Sequence, residues 1–247
     1  MPRAARKQSE SGYFHVIVRG IGKQLLFEEP SDYRYYIWLL EKYSGETSVS
    51  ICVYCIMENH VHLLVCDKGN ELSLFMKKMG ISYSAYFNRK YERTGHLFQD
   101  RFKSEAVEDD SYFLSVVRYI LKNPEKAGLC SASEYPWSSY SAYSSGNTFL
   151  DLSLIRGMLG DLSSWEQFIH ADNDVVCIES STDTTKDDRA REIMLRTIGT
   201  ANGMLLQSYD REKRDAAIIA LHKAGLSVRT IERLTGIGRG VIQKTLW

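Results

Sequence analysis

The chain has 247 residues, 44% of them hydrophobic and 25% charged, with 31 Lys and Arg against 31 Asp and Glu. That balance suits one large globular domain or two small ones, and it excludes a disordered or fibrous chain. It also excludes a uniformly basic nucleic-acid binder, and no apolar run is long enough for a membrane span, for which about 18 residues are needed.

The first twelve residues, MPRAARKQSESG, are polar and basic with no apolar core, so no secretory signal is read there and a cytoplasmic protein is expected. Arg3, Arg6 and Lys7 form an arm that suits phosphate or groove contact as well as it suits an inert tail. Residues 12–19, GYFHVIVR, are rich in β-branched and aromatic types and predict a strand. Ser31 or Asp32 is expected to cap a helix through about residue 43, with Tyr35, Trp38, Leu39 and Lys42 at helical spacing.

Residues 48–56 predict a second strand and 60–66, HVHLLVC, a third, separated by Met57, Glu58 and Asn59. A long helical pattern follows to about Tyr91 and stops at Thr94-Gly95. Residues 95–107 are mixed. Asp110 or Ser111 caps the next helix, which should end at Asn123 because the residue before Pro124 is disfavoured in the α region. The aromatic segment from Tyr135 to Tyr143 is expected to close the first domain, and a small helical segment follows at 151–170. Residues 172–188, acidic and rich in Ser and Thr, read as a linker. The remainder is helical, ending in three short helices at about 210–224, 227–234 and 238–246. The pattern predicts an α+β sheet-and-helix domain over 1–145, a helical extension and acidic linker over 146–188, and an all-α module over 189–247.

Five cysteines, at 52, 55, 66, 130 and 177, sit mostly in apolar runs and read as reduced buried thiols. Cys52 and Cys55 form a C-x-x-C, but on a strand positions i and i+3 face opposite sides, and no second C-x-x-C follows.

The sharpest local feature is His60-Val61-His62. On a strand the two imidazoles share a face and can share one metal ion, although such a pair is more often two ordinary strand histidines. In SYFLSVVRYILKN, 111–123, Phe113, Leu114, Val117, Ile120 and Leu121 form the expected buried stripe. Tyr112, Val116, Tyr119 and Asn123 fall on an adjacent face, with Tyr119 and Asn123 one turn apart.

Charge is unevenly spread. From Lys77 to Lys103 there are seven bases (Lys77, Lys78, Arg89, Lys90, Arg93, Arg101, Lys103) against Glu92 and Asp100. Residues 201–247 hold eight bases and four acids, whereas 151–200 hold five bases and ten acids. Two basic stretches flanking an acidic one fit two DNA-contacting regions and a linker. Tyr83, Tyr86, Phe87 and Tyr91, interleaved with the first basic stretch, divide between core residues and faces on which bases could stack. The last helices are similar to a helix-turn-helix, with Ser227 capping the second helix and Arg239, Gln243 and Lys244 on the exposed face of the third.

MENHVHLLV (57–65), TGHLFQDRFKS (94–104), VVRYILKNPEKAGL (116–129) and YPWSSY (135–140) occur together in one family, and SGYFHVIVRG (11–20) matches its first strand. By these motifs the chain resembles the single-tyrosine HUH transposases of the IS200/IS605 type, particularly the REP-associated tyrosine transposases, over roughly residues 11–145. The resemblance implies a ferredoxin-like catalytic domain. It implies that His60, His62 and Asn123 hold Mg2+ or Mn2+, and that Tyr119 attacks a phosphodiester to give a 5′-phosphotyrosine and a free 3′-hydroxyl. The implied partner is single-stranded or hairpin DNA, for which the basic stretch offers Lys77, Lys78, Arg89, Lys90, Arg101 and Lys103 as candidate contacts. Relatives usually have proline where Glu58 stands, which could shift the strand entry or bring a carboxylate to the metal. Some relatives are homodimers that build each site from two chains and others are monomers, so oligomeric state stays open. Two other readings compete: a non-catalytic DNA-binding regulator that keeps the fold, and a metal hydrolase of a small phosphoester.

Overall fold

The computed structural model describes residues 9–145, 149–171, 184–200 and 203–247. Arg3, Arg6, Lys7, Cys177 and most of the expected acidic linker lie outside the described residues. The chain divides into two compact units, Met1–Arg19 with Leu26–Ile178, and Gly20–Leu25 with Glu179–Trp247. No helix among the described residues is long and apolar enough to cross a membrane.

The first unit begins with β1 (Tyr13–Arg19), α1 (Pro30–Gly45), β2 (Val49–Met57), β3 (His60–Asp67), α2 (Leu72–Lys90) and β4 (Lys103–Ala106). The strands form one sheet in the order β2-β3-β1-β4, antiparallel throughout. This β-α-β-β-α-β order is the ferredoxin-like arrangement, as expected of an α+β domain. Strand β4 is absent from the sequence expectation. Its residues, KSEA, contain no β-branched or aromatic side chain, and pairing with the edge of β1 is what makes them a strand.

Side chains alternate across the sheet. On one face Val18 lies with Tyr36 of α1 and Met76 and Met79 of α2. The other face carries Tyr13, His15, Ile17 and Arg19 of β1 beside Cys66, Leu64, His62 and His60 of β3, paired in that order. Helix α3 (Asp110–Leu121) packs over this second face, with Phe113 edge-on to Tyr13 at 5.0 Å. α3 buries Val116 and Tyr119 as well as the expected apolar positions, so both of its predicted stripes are inside, although Leu114 is only half-buried. α3 ends at Leu121, two residues short of the expected Asn123, and Pro124 sits in the first turn of a following α4 (Asn123–Lys126), where a missing N–H costs nothing.

The chain from Tyr135 onward lines the outer edge of β2. Ile56 N donates to Trp137 O at 2.9 Å and Ser139 N to Tyr54 O at 3.0 Å, while Trp137 stacks on Tyr33 at 4.5 Å. Helices α5 (Ala142–Ser145), α6 (Ser153–Leu159) and α7 (Leu162–His170) complete the unit, with Trp165 stacked on Tyr143 and Arg118 of α3 over Phe168. Cys52, Cys55 and Cys66 are buried free thiols and Cys130 is half-buried.

In α1 the buried positions are Asp32, Tyr33, Tyr36, Leu39, Leu40 and Tyr43; of the four residues noted at helical spacing only Leu39 is among them, and Trp38 is 47% exposed. Tyr35 instead stacks outside the core between Trp38 and Tyr86. The cap is Glu29, reciprocated by Asp32 in a capping box. Asp32 is fully buried. It accepts from the backbone of Glu28 and Glu29 at 2.9 and 3.0 Å, from Lys90 and Tyr91 at 2.6 Å each, and from Tyr86 at 2.9 Å. Burial by itself would raise its pKa, but the bonds from Lys90, Tyr91 and the backbone outweigh it and hold the carboxyl below its usual range.

The second unit contains α8 (Thr184–Ile198), a 3-10 turn (Gly203–Ser208), α9 (Arg211–Lys223), α10 (Val228–Thr235) and α11 (Arg239–Leu246). The last three lie within one residue of the predicted bounds. The end of the expected linker is therefore already helical. Ser227 Oγ accepts from Thr230 N to cap α10, and Gly236, at φ 65°, ends it in the left-handed region that glycine adopts without strain. Ile218, Leu221, Ile231 and Ile242 are fully buried at its centre.

Asp32→Ala strips a buried carboxylate from Lys90 and two tyrosines and should lower the unfolding free energy by about 3 kcal/mol, read as a shifted urea midpoint. Because Asp32 binds its proton more weakly folded than unfolded, its contribution is complete above the unfolded carboxyl pKa, about 3.9, and is lost as pH falls through the lower folded value. A pH series of urea melts should show that acid-side loss in the wild type and a smaller one in Asp32→Asn.

Candidate active site

His60 opens β3 and is half-buried; His62, two residues on, is 2% exposed. Their rings are 5.0 Å apart on the face covered by α3. Each ring has its Nδ1 engaged: His60 Nδ1 with Asn59 Oδ1 at 2.7 Å, and His62 Nδ1 with His15 Nε2 at 3.1 Å. Nδ1 engagement of this kind directs Nε2 of a ring toward a ligand.

Tyr119 is brought to the pair by the packing of α3. Its ring lies edge-on at 5.6 Å from His62 and 5.7 Å from His15, and Lys126 Nζ stands 4.2 Å over its face. Asn123, one turn beyond, is buried, and its amide nitrogen donates to Tyr119 O at 2.8 Å and Ile120 O at 3.3 Å. Those bonds fix the nitrogen end against the helix backbone and leave the oxygen as the end suited to ligation.

Burial pushes His15 down to about 4. It lowers His62 well below its ordinary value, with His60, His15, Arg19 and Lys126 adding to the effect. Both imidazoles are thus neutral at pH 7, and the cations Arg19 and Lys126 act on His62. The Glu58 side chain is exposed, it acts electrostatically on Tyr33 and Tyr135, and its backbone oxygen accepts from Leu26 and Phe27.

Among the described residues no group of three or more His, Cys, Asp or Glu is placed to hold a metal. A centre here would rest on two imidazoles and one amide oxygen. That neutral set fits a divalent ion whose charge is balanced by phosphate oxygens rather than by protein carboxylates.

The predicted DNA contacts fare differently from one another. Lys77 and Arg101 are exposed and line a groove of about 920 Å3 between α2 and residues 95–102, with Ile81, Phe98 and Phe102 as apolar walls. Lys103 lies across β1 from the site: it pairs with Ile17, which pairs with His62, so all three share a face. Two strand spacings, about 10 Å, separate it from His62. Arg89 is exposed. Lys78 is held by Glu46 at 2.9 Å, and Lys90 by Asp32 and Glu29 at 2.6 and 2.9 Å. The interleaved aromatics divide: Tyr83 and Phe87 are buried, while Tyr86 and Tyr91 are half-buried and bond Asp32. Arg239, Gln243 and Lys244 are exposed on α11, with Arg239 bound to Glu232 at 2.7 Å. Three members of the site escaped the sequence reading: His15, Arg19 and Lys126. The first two carried one usable signal, their period-two spacing on β1.

This fold, with this site on its helix-covered face, is similar to that of known transposases. Residues 8–123, just under half of the chain, match the family described as "Transposase IS200 like", and the matched span includes both histidines, Tyr119 and Asn123. A solved structure described as a REP-associated tyrosine transposase bound to a REP hairpin is 17% identical, with TM-score 0.51, over 62% of this chain and 96% of that one. At that identity it attests the fold. A Deinococcus radiodurans R1 structure assigned as a transposase is 14% identical, with TM-score 0.34, over 53% of this chain and 99% of that one. No curated protein matches the chain.

Lys126 is exposed, so Lys126→Met should leave the circular dichroism spectrum unchanged. It should weaken DNA binding and make the dependence of log K on log salt shallower by about one unit, measured by fluorescence anisotropy across a KCl series.

Proposed function

We propose that this protein cleaves and rejoins single-stranded DNA in the cytoplasm, through a 5′-phosphotyrosine on Tyr119. The observation that carries the reading is the placement of the Tyr119 ring against His62 and His15 under Lys126, with Arg19 also acting on His62. A phenol with a pKa near 10 is a weak nucleophile, so attack depends on orientation and on neutralising the phosphate. Helix α3 supplies the first. Arg19 and Lys126, both acting electrostatically on His62, draw the phosphodiester to the tyrosine hydroxyl. A divalent ion such as Mg2+ or Mn2+, held by His60, His62 and Asn123, would add Lewis acidity toward the non-bridging oxygens.

The Tyr119 Oη–P bond forms and the P–O3′ bond breaks. The phenol gives up one proton and the departing 3′ oxygen gains one, so the step is balanced without water. The phosphate-ester bond is kept, and a second 3′-hydroxyl can reverse the step with new ends. A stacked duplex would hide its scissile phosphate from a tyrosine that is 95% buried within a helix-on-sheet layer, which favours an unpaired strand or the flank of a hairpin. The REP hairpin held by the structural neighbour agrees with that substrate class. The second unit reads duplex DNA as a helix-turn-helix: α11 presents Gln243 and Lys244 outward, and Glu232 orients Arg239 beside them.

Hairpin oligonucleotides with an unpaired flank, incubated with the protein and Mn2+, should yield a covalent adduct on a denaturing gel. EDTA should abolish it, and Tyr119→Phe should bind the same DNA with no adduct. Binding without an adduct in the wild type would replace this reading with that of a DNA-binding regulator.

A further inference from the structure

His15 is a buried imidazole on the central strand β1, with one nitrogen, Nε2, 3.1 Å from His62 Nδ1. Its other nitrogen, Nδ1, is buried with no hydrogen-bond partner. Cross-strand pairing places Leu64 on one side and Glu105 on the other, and the Glu105 carboxylate accepts from Tyr112 at 2.7 Å. An orphaned polar nitrogen in a dry core is a standing cost that an aliphatic side chain would avoid, so a histidine here calls for an explanation. The bond to His62 provides one.

We propose that His15 is the positioning residue that makes His62 a metal ligand, by accepting a hydrogen bond from His62 Nδ1 and so presenting the His62 Nε2 lone pair to the site. The proposal rests on the reading of His60 and His62 as ligands. A ligating imidazole is neutral and binds through a lone pair. Two neutral rings joined by one hydrogen bond carry two protons and have two arrangements. In one, His15 Nε2–H donates to His62 Nδ1 and the second proton sits on His62 Nε2, which blocks ligation. In the other, His62 Nδ1–H donates to His15 Nε2 and the second proton sits on His15 Nδ1. The proton count is the same, and only the second arrangement frees His62 Nε2. The orphaned His15 Nδ1 is the place that takes this proton. Asn59 serves His60 in the same sense, since its Oδ1 can only accept from His60 Nδ1 at 2.7 Å. The two histidines are thus oriented by different acceptors, one an amide at the strand entrance and one an imidazole buried on the neighbouring strand.

The test compares Mn2+ binding, read from the electron paramagnetic resonance signal of free Mn2+, in wild type, His15→Leu and His15→Gln, and reads ring protonation in the Mg2+-saturated wild type by nitrogen-15 NMR. His15→Leu should bind Mn2+ about 10–100-fold more weakly while keeping its fold, the usual effect of removing a group that orients a metal ligand. His15→Gln, whose Oε1 can accept where Nε2 did, should recover most of that affinity. His62 and His15 should both carry their protons on Nδ1. Unchanged binding in His15→Leu would overturn the proposal, as would equal loss in His15→Gln or a proton on His62 Nε2. The NMR arm needs no variant, so a misfolded mutant cannot shield the idea. If wild type forms the Tyr119 adduct but His15→Leu binds Mn2+ normally, only this inference fails; if wild type binds no Mn2+, the metal reading fails with it.

Discussion

The site depends on one register. Ile17 pairs with His62 and Arg19 with His60 across the β1–β3 ladder. Because strand side chains alternate, that alignment puts every odd residue of β1 from Tyr13 to Arg19 on the face that carries both histidines. A slip of one residue would turn His15 and Arg19 toward α1 and α2 and bring Val16 and Val18 against Tyr119. The slip is opposed from the other side, because Val16, Val61, Leu63 and Val65 are fully or almost fully buried and would have to exchange places with imidazoles and a guanidinium. The hydrophobic core thereby fixes the geometry of the polar cluster, and α3 closes over a face whose composition it did not choose.

Within that frame the charge pattern is economical. The chain is neutral as a whole, yet His62 lies in the field of Arg19 and Lys126. Several of the lysines that make residues 77–103 look basic are spent on architecture: Lys90 serves Asp32, and Lys78 serves Glu46. Lys77, Arg101 and Lys103 remain outward-facing or on the site face. A basic run in a sequence therefore mixes two populations, separated by whether the fold brings an acid within ion-pair distance.

Much of the fold was legible. The first three strands have clear β-branched and aromatic character, and the last helices are bounded by Gly225, Ser227, Gly236 and Gly238, so their limits could be read almost to the residue. β4 was not legible, because KSEA acquires its conformation from β1 and not from its own propensity. The α1 face was misplaced because Tyr35 and Trp38, large and aromatic, stack with each other at the surface while Tyr33 and Tyr36 take the core. Of the site, His60, His62, Tyr119 and Asn123 could be named through spacing and family likeness. His15, Arg19 and Lys126 could not, since their roles come from a cross-strand register and from the turn at Pro124, neither of which a single sequence displays.

The segment following Tyr135 has an effect beyond sealing the core. A sheet grows by adding strands at its two rims, and here the β2 rim is occupied by backbone bonds to Trp137 and Ser139, with Tyr33 stacked on Trp137. Merging with a second sheet on that side would require peeling the segment away first. The opposite rim, β4, is four residues long and carries a lysine and a glutamate, features that discourage continuous pairing. Both rims of the sheet are thus shielded from pairing with another polypeptide strand.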